Sequence, residues 1–322
     1  MRPVKLFFLL LKIIITVLIL RMVHRSFLGN MQDLVSFFSG FPLPFHRFFW
    51  PLFFALCMQL LLVVRWRQTL ALFGIHPPLY VVIKSYFVGS LFAFLTPGRI
   101  GEVFRGAGMN EGGRFTAGAA VLFERFFSTG VVFLIALLLF HVYPAAAIDV
   151  LAEGQKRVFS IYALFLHVLG GVFFICMVLT PLVLFTYIRR FMQKGKLFIH
   201  ILLLSSGIHL FLLMQVGFLF HALVRTSFRE GMLVASQTFA AIHFVPVTVG
   251  NMGVREYFLH LFGLYFSEYA DVHFQHNILA VSLVILACNL ILPALIGLFL
   301  FIFINLIQEI RQFFNYIVGC DA

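Results

Sequence analysis

Arg99, Glu102 and Arg105 stand three apart, in the segment Thr96-Pro97-Gly98-Arg99-Ile100-Gly101-Glu102-Val103-Phe104-Arg105. That spacing puts Glu102 and Arg105 on one helix face. Two guanidiniums beside one carboxylate form a net-positive trio suited to charge-assisted hydrogen bonding to phosphate. Gly98 and Gly101 allow close backbone approach, and a helix starting there directs free N–H groups and a positive dipole end at an anion. The competing reading is an interfacial turn whose charges reach the headgroups. A second constellation, Arg255 and Glu256, follows Gly250-Asn251-Met252-Gly253. The same geometry applies, against a simpler Arg–Glu pair that only closes a turn. A third is Glu124-Arg125, eight or nine residues into an apolar run. Neighbours on a helix do not face each other, so the two must reach different partners. Lipid exposure of either at that depth costs about 3 kcal/mol on insertion scales. Glu124 is expected to pair with an arginine of the first constellation and Arg125 to face a cavity. The alternative is a purely structural lock.

The surrounding chain is that of a membrane protein. Its 322 residues are 62% hydrophobic and only 11% charged, with 44 phenylalanines. Soluble domains carry about 25% charged residues. The net charge of +11 comes with no nucleic-acid-binding motif, and the cations lie mostly at the ends of apolar runs, where they set orientation. Cys57, Cys176, Cys288 and Cys320 lack disulfide or metal spacing. Arg2 and Lys5 precede an apolar run with no small-residue cleavage site, so the run reads as a retained first helix.

Spans need roughly 20 residues. Six are expected, at about 4–23, 48–66, 116–140, 160–188, 198–224 and 277–307, with kinks at Pro181 and Pro293. The basic loop Arg189–Lys196 has four cations and no acid, which places it in the cytoplasm. Glu111–Arg114 and Arg65–Arg67 then fall on the same side, so residues 79–109 cross twice or not at all. A re-entrant hairpin satisfies this: in along Leu79–Leu95, a turn at Pro97–Gly101, out along Glu102–Met109. Residues 232–266 form the counterpart from the other side, turning between Pro246 and Gly253. Irregular backbone at that depth is tolerated only beside protein or a wet cavity, and paired interrupted segments point to a substrate site.

The expected fold is therefore all-α and polytopic: about six full spans, two re-entrant hairpins and an inverted repeat within a single membrane domain covering 1–322. One half is about 48–140 with hairpin 79–109, the other about 198–307 with hairpin 232–266, and both termini are cytoplasmic. Cysteines introduced at Glu111 and Arg189, in a background without the native four, should react with an impermeant reagent from the same face. Reaction from opposite faces would remove this topology.

Other polar residues carry less. His209, Gln215, His221, Gln237 and His243 could form a proton relay, but such residues more often hydrogen-bond a neighbouring helix. Asp271, His273 and His276 lack a fourth metal ligand. Lys84 is expected to snorkel. No H-E-x-x-H, G-x-S-x-G, Walker A, C-x-x-C or Asp-rich motif occurs, so no cofactor, no metal and no catalytic role are expected.

At three places the chain resembles the flippase-like family of the lysylphosphatidylglycerol synthase transmembrane region. Thr96–Arg105 resembles its Pro-Gly…Gly-Glu…Arg element. Phe123-Glu124-Arg125 resembles its Glu-Arg pair. Pro246–Glu256 resembles its Pro…Gly-Gly-x-Gly-x-Arg-Glu element, with Asn251 where a second glycine is expected. The resemblance covers roughly residues 4–307. It implies a multi-pass inner-membrane protein that handles a phosphate-bearing lipid: anionic, aminoacylated or polyprenyl-phosphate-linked. Some members carry a soluble aminoacyl-transfer domain; this chain reads as the membrane part, serving a lipid made by a separate synthesising enzyme. The expected binding residues are Arg99, Glu102, Arg105, Glu124, Arg125, Arg255 and Glu256, with Pro97, Gly98, Gly101, Pro246, Gly250 and Gly253 as turn residues. The alternatives are a membrane-embedded lipid-linked transferase, with Glu102 or Glu256 as base, and a scaffold for envelope-synthesis enzymes.

Overall fold

A computed structural model describes residues 46–96, 99–108, 114–142, 153–187, 192–244, 254–266 and 274–302. The chain divides into two units, Met1–Arg47 and Phe48–Ala322, and the helical bundle is the second. The expected first span at 4–23, the turn residues Pro97, Gly98, Pro246, Gly250 and Gly253, and Asp271 and His273 lie outside the described residues.

Helix α1 is His46–Leu72 and α2 is Leu79–Leu95. A 3₁₀ helix, Ile100–Gly108, comes next. Then come α3 (Arg114–Val142), α4 (Glu153–Tyr187) and α5 (Met192–Leu219), the last running on through a π turn at Phe220–Val224. Helices α6 (Phe228–Phe244) and α7 (Val254–Phe266) precede α8 (Phe274–Leu286), which continues through a π turn at Ala287–Ile291. No strand occurs among the described residues. Five segments are long and apolar enough to cross a membrane: Phe48–Leu72, Phe115–Val142, Lys156–Cys176, Gly195–Val224 and Asn277–Ile302. They coincide with five of the six expected spans, and the protein is an all-α, multi-pass membrane protein. The second π turn directly precedes Pro293, whose missing N–H cannot continue an α-helical ladder.

The same order of elements occurs twice: a long helix, a pair of shorter helical segments, a long helix. In the first set, α2 and the 3₁₀ helix pack together, and the 3₁₀ helix packs against α3. In the second, α6 and α7 pack together, and α6 rests on α5. Small residues permit these approaches. A Cβ on Gly231 would stand 2.6 Å from Phe220 Cβ and 2.9 Å from Gly217 Cα. A Cβ on Gly297 would stand 2.0 Å from the Phe87 carbonyl oxygen, so the far end of the α8 segment lies directly on the backbone of α2.

Around the first pair, Trp66, Leu70, Val82, Tyr86, Ala117, Ala120 and Val121 make a continuous core between α1, α2 and α3. Trp66 Nε1 donates to Ser85 Oγ (2.8 Å) and Tyr86 Oη donates to Gln59 Oε1 (2.8 Å), so the polar ends of both rings are satisfied within it.

Candidate functional site

The segment after α2 turns sharply. Thr96 Oγ1 donates back to the Phe92 carbonyl (2.9 Å) and accepts from the Gly101 N–H (2.7 Å). Arg99 sits at φ 59, a left-handed conformation uncommon outside glycine. The returning leg is 3₁₀ rather than α-helical. In a 3₁₀ helix residues three apart eclipse one another, so Glu102 and Arg105 share one face, and Arg99, just before the helix, reaches Glu102 from the turn. Two i,i+3 ion pairs meet at Glu102: Arg99 at 2.8 Å and Arg105 at 3.1 Å.

Two of the backbone amides at this turn already have partners. The Gly101 amide is spent on Thr96, and the Glu102 N–H donates to the Arg99 carbonyl (3.2 Å). Gly101 is needed for a different reason: a Cβ there would lie 2.2 Å from the Phe92 carbonyl oxygen. The guanidiniums of Arg99 and Arg105 flank Glu102 at this turn.

Two layers result. In the inner layer Glu124 Oε1 accepts from Arg105 Nη1 (3.1 Å) and Arg65 Nη2 (2.7 Å). Arg65 Nη1 also donates to Ser128 Oγ (3.1 Å) and Ser205 Oγ (3.2 Å). Arg65, Arg105 and Glu124 are all buried. Arg105 is further clamped by its Cζ lying 5.5 Å from the Trp66 ring centroid and 4.9 Å from that of Tyr86, a favourable arrangement for a guanidinium. Gly89 leaves the space through which Arg105 passes, since a Cβ would lie 2.1 Å from Arg105 Cγ. In the outer layer Arg125 ion-pairs with Glu102 at the same oxygen that Arg99 uses. Arg99 and Arg125 are about one-third exposed, at 33% and 31%, whereas Glu102 is at 6%.

The first and third constellations therefore form one cluster. Glu124 pairs with the hairpin's Arg105, as its depth in the span predicts, and Arg125 takes a different partner. Arg65 belongs to the cluster although its sequence context reads as a cytoplasmic orientation signal. The contacts of Arg255 are of another set: Nη2 donates to Glu256 Oε1 (2.9 Å) and Nε to Ser282 Oγ (2.6 Å), and Ser282 also donates to Glu256. Arg255 is buried, and its anchor Ser282 on α8 carries no sequence signal.

The secondary candidates divide. Gln237 Nε2 donates to the Ala136 carbonyl (2.9 Å) and its Oε1 accepts from Tyr162 Oη (2.7 Å), so it ties α6 to α3 and α4. Gln215 Oε1 accepts from Asn289 Nδ2 (2.8 Å), joining α5 to the π turn after α8. His243 Nδ1 lies 2.6 Å from the Phe239 carbonyl, and His221 Nδ1 lies 3.1 Å from that of Thr226. His209 is buried, and its Nε2 has no hydrogen-bond partner. Lys84 is half-buried on α2. No cluster of metal-ligating side chains occurs among the described residues.

A family model described as the lysylphosphatidylglycerol synthase TM region matches residues 9–297. The chain belongs to that family. The match takes in both interrupted pairs, the Glu124-Arg125 helix and α1 with Arg65. No curated protein and no solved structure matches the chain. Membership makes this a membrane protein of lipid or envelope metabolism.

Proposed function

We propose that the protein moves a phosphate-bearing lipid between leaflets, with the headgroup held at the cluster around Glu102 and the acyl chains left in the bilayer. The observation that carries this reading is the buried ion-pair network at the tip of an interrupted helix pair: four arginines share two carboxylates, and two of the arginines are partly open. Ionisable groups at such depth are costly and mark substrate paths. Here Glu102 and Glu124 keep the arginines paired when no ligand is bound, which an unpaired cluster could not do without a large desolvation cost.

Arg255 and Glu256, at the start of α7, supply the corresponding group in the second half. The repeated order of elements supports alternate exposure of the two pairs, each re-entering from its own side of an inner membrane with cytoplasmic termini. Transport without a nucleotide site draws on a gradient, the membrane potential or consumption of the lipid on the far side. The lipid is anionic, aminoacylated or polyprenyl-phosphate-linked and is delivered by a separate synthesising enzyme. The protein itself performs no bond chemistry.

The test is reconstitution. Vesicles containing the purified protein should expose the headgroup of a labelled phosphate-bearing lipid to a quencher on the opposite side far faster than protein-free vesicles. Conversion of a candidate lipid into a new product by the protein, with no such movement, would favour the transferase reading instead.

A further inference from the structure

The charges of the cluster do not balance. Arg65, Arg99, Arg105 and Arg125 face only Glu102 and Glu124, which leaves two positive charges uncompensated among the described residues. Among the described residues, Glu256 pairs with Arg255 and Glu230 accepts from the Ser227 N–H.

The imbalance has a location. Arg65 and Arg105 are sealed against Glu124, with side-chain exposures of 5% and 2%. Arg99 and Arg125 converge on a single oxygen of Glu102, whose other oxygen holds Arg105. One carboxylate oxygen cannot satisfy two guanidinium forks, each with five N–H donors. These two are also the partly exposed arginines of the cluster. Arg99 Nε is buried with no hydrogen-bond partner, as are Arg65 Nε and Arg105 Nε, so it is the partial exposure of Arg99 and Arg125 that distinguishes the outer pair.

An anion that completes this pair must bring about two negative charges and several acceptor oxygens on one centre. A phosphodiester brings one charge. An aminoacylated headgroup brings a further cation and makes the imbalance worse. A terminal phosphate carries about −1.5 to −2 at neutral pH and three acceptor oxygens.

We infer that Arg99 and Arg125 select a terminal phosphate, a phosphomonoester or the end of a diphosphate, over a phosphodiester or an aminoacylated headgroup. This rests on the reading that the cluster holds a lipid headgroup, and it names the headgroup's chemical class. The same chemistry is available from free phosphate, so source and selectivity are tested separately.

The experiment is equilibrium binding to the full-length protein in nanodiscs, with phosphatidic acid, phosphatidylglycerol and lysylphosphatidylglycerol as ligands and inorganic phosphate as competitor. At pH 7.5 phosphatidic acid should bind about tenfold more tightly than phosphatidylglycerol, the equivalent of one extra charge-assisted contact. Lysylphosphatidylglycerol should bind more weakly than either. The preference should shrink below about pH 6, where the phosphomonoester loses its second charge. Arg99→Gln with Arg125→Gln should abolish the preference while leaving the melting temperature near that of the native protein.

Equal or tighter binding of phosphatidylglycerol, or a preference unchanged in the double variant, overturns the inference. Selective binding without movement of any lipid would leave the inference standing and remove the transport reading. Movement of phosphatidylglycerol with no selectivity would do the reverse. Competition by inorganic phosphate at the concentration at which phosphatidic acid binds would keep the selectivity and assign it to a soluble ligand.

Discussion

Replacing Glu124 with alanine is expected to cost about 3–5 kcal/mol, the range for removing one partner of a buried ion pair. Two arginines depend on this carboxylate: Arg65 at 2.7 Å and Arg105 at 3.1 Å. Both are buried and cannot turn to water. Arg65 would retain Ser128 and Ser205, and Arg105 would retain Glu102, so each keeps hydrogen bonds but the inner layer loses its only anion. Glu124→Gln keeps an acceptor of the same shape and should cost less than the alanine variant. The check is thermal unfolding of purified protein in detergent. Glu124→Ala should melt roughly 10 °C lower, taking a few degrees per kcal/mol. A melting temperature equal to that of the native protein would show that the layer contributes nothing to holding α1, α3 and the 3₁₀ helix together.

Gly89→Ala should do comparable damage by another route. The added Cβ would lie 2.1 Å from Arg105 Cγ and 3.2 Å from its Cδ. Arg105 has no freedom to yield, because Trp66 and Tyr86 bound its guanidinium on one side and Glu102 and Glu124 hold it on the other. Either α2 moves away from the 3₁₀ helix or Arg105 leaves its carboxylates. Overpacking alone costs about 1–3 kcal/mol, and displacing a buried paired charge adds to it. Gly171→Ala in α4 is the matched control, since nothing lies within 4 Å of its new Cβ. It should be neutral or stabilise slightly, as alanine does in a helix. If both variants melt alike, Gly89 is not the passage for Arg105.

Much of this was legible in the sequence because the strongest constraints are local. A charged residue deep in an apolar run must find a partner, and that requirement alone joined Glu124 to a hairpin arginine. The Pro-Gly breaks at the ends of Leu79–Leu95 and of the run before Pro246 marked where α2 and α6 stop. What escaped depends on packing between elements distant in sequence. Arg65 and Arg67 are nearly adjacent, and together they read as an orientation signal. The structure separates them: Arg65 falls on the buried stripe with Met58, Thr69 and Leu72, while Arg67 is exposed. That stripe is visible at helical spacing, and reading it would have shown that one of the two cations points inward.

The 3₁₀ form of the returning leg was likewise available in outline. Arg99, Glu102 and Arg105 repeat at three, the 3₁₀ period, whereas a helix-terminus reading of the same residues presumes 3.6. That difference puts the guanidiniums, rather than the Gly101 and Glu102 amides, at the charged face of the turn. Gly89 and Ser282 gave no signal at all. A glycine in an apolar helix and a serine in a long span become meaningful only once Arg105 and Arg255 are seen beside them.

The central claim is that a lipid headgroup passes by way of the outer arginine pair. Its most direct test is headgroup accessibility of labelled lipids in vesicles containing native protein or the Arg99→Gln, Arg125→Gln double variant at equal reconstitution. Native protein should carry a phosphate-bearing lipid across, and the double variant, equally folded, should fall to the rate of protein-free vesicles. Undiminished movement in the double variant would contradict the account, because the lipid would then be crossing without the two arginines that are placed to receive it.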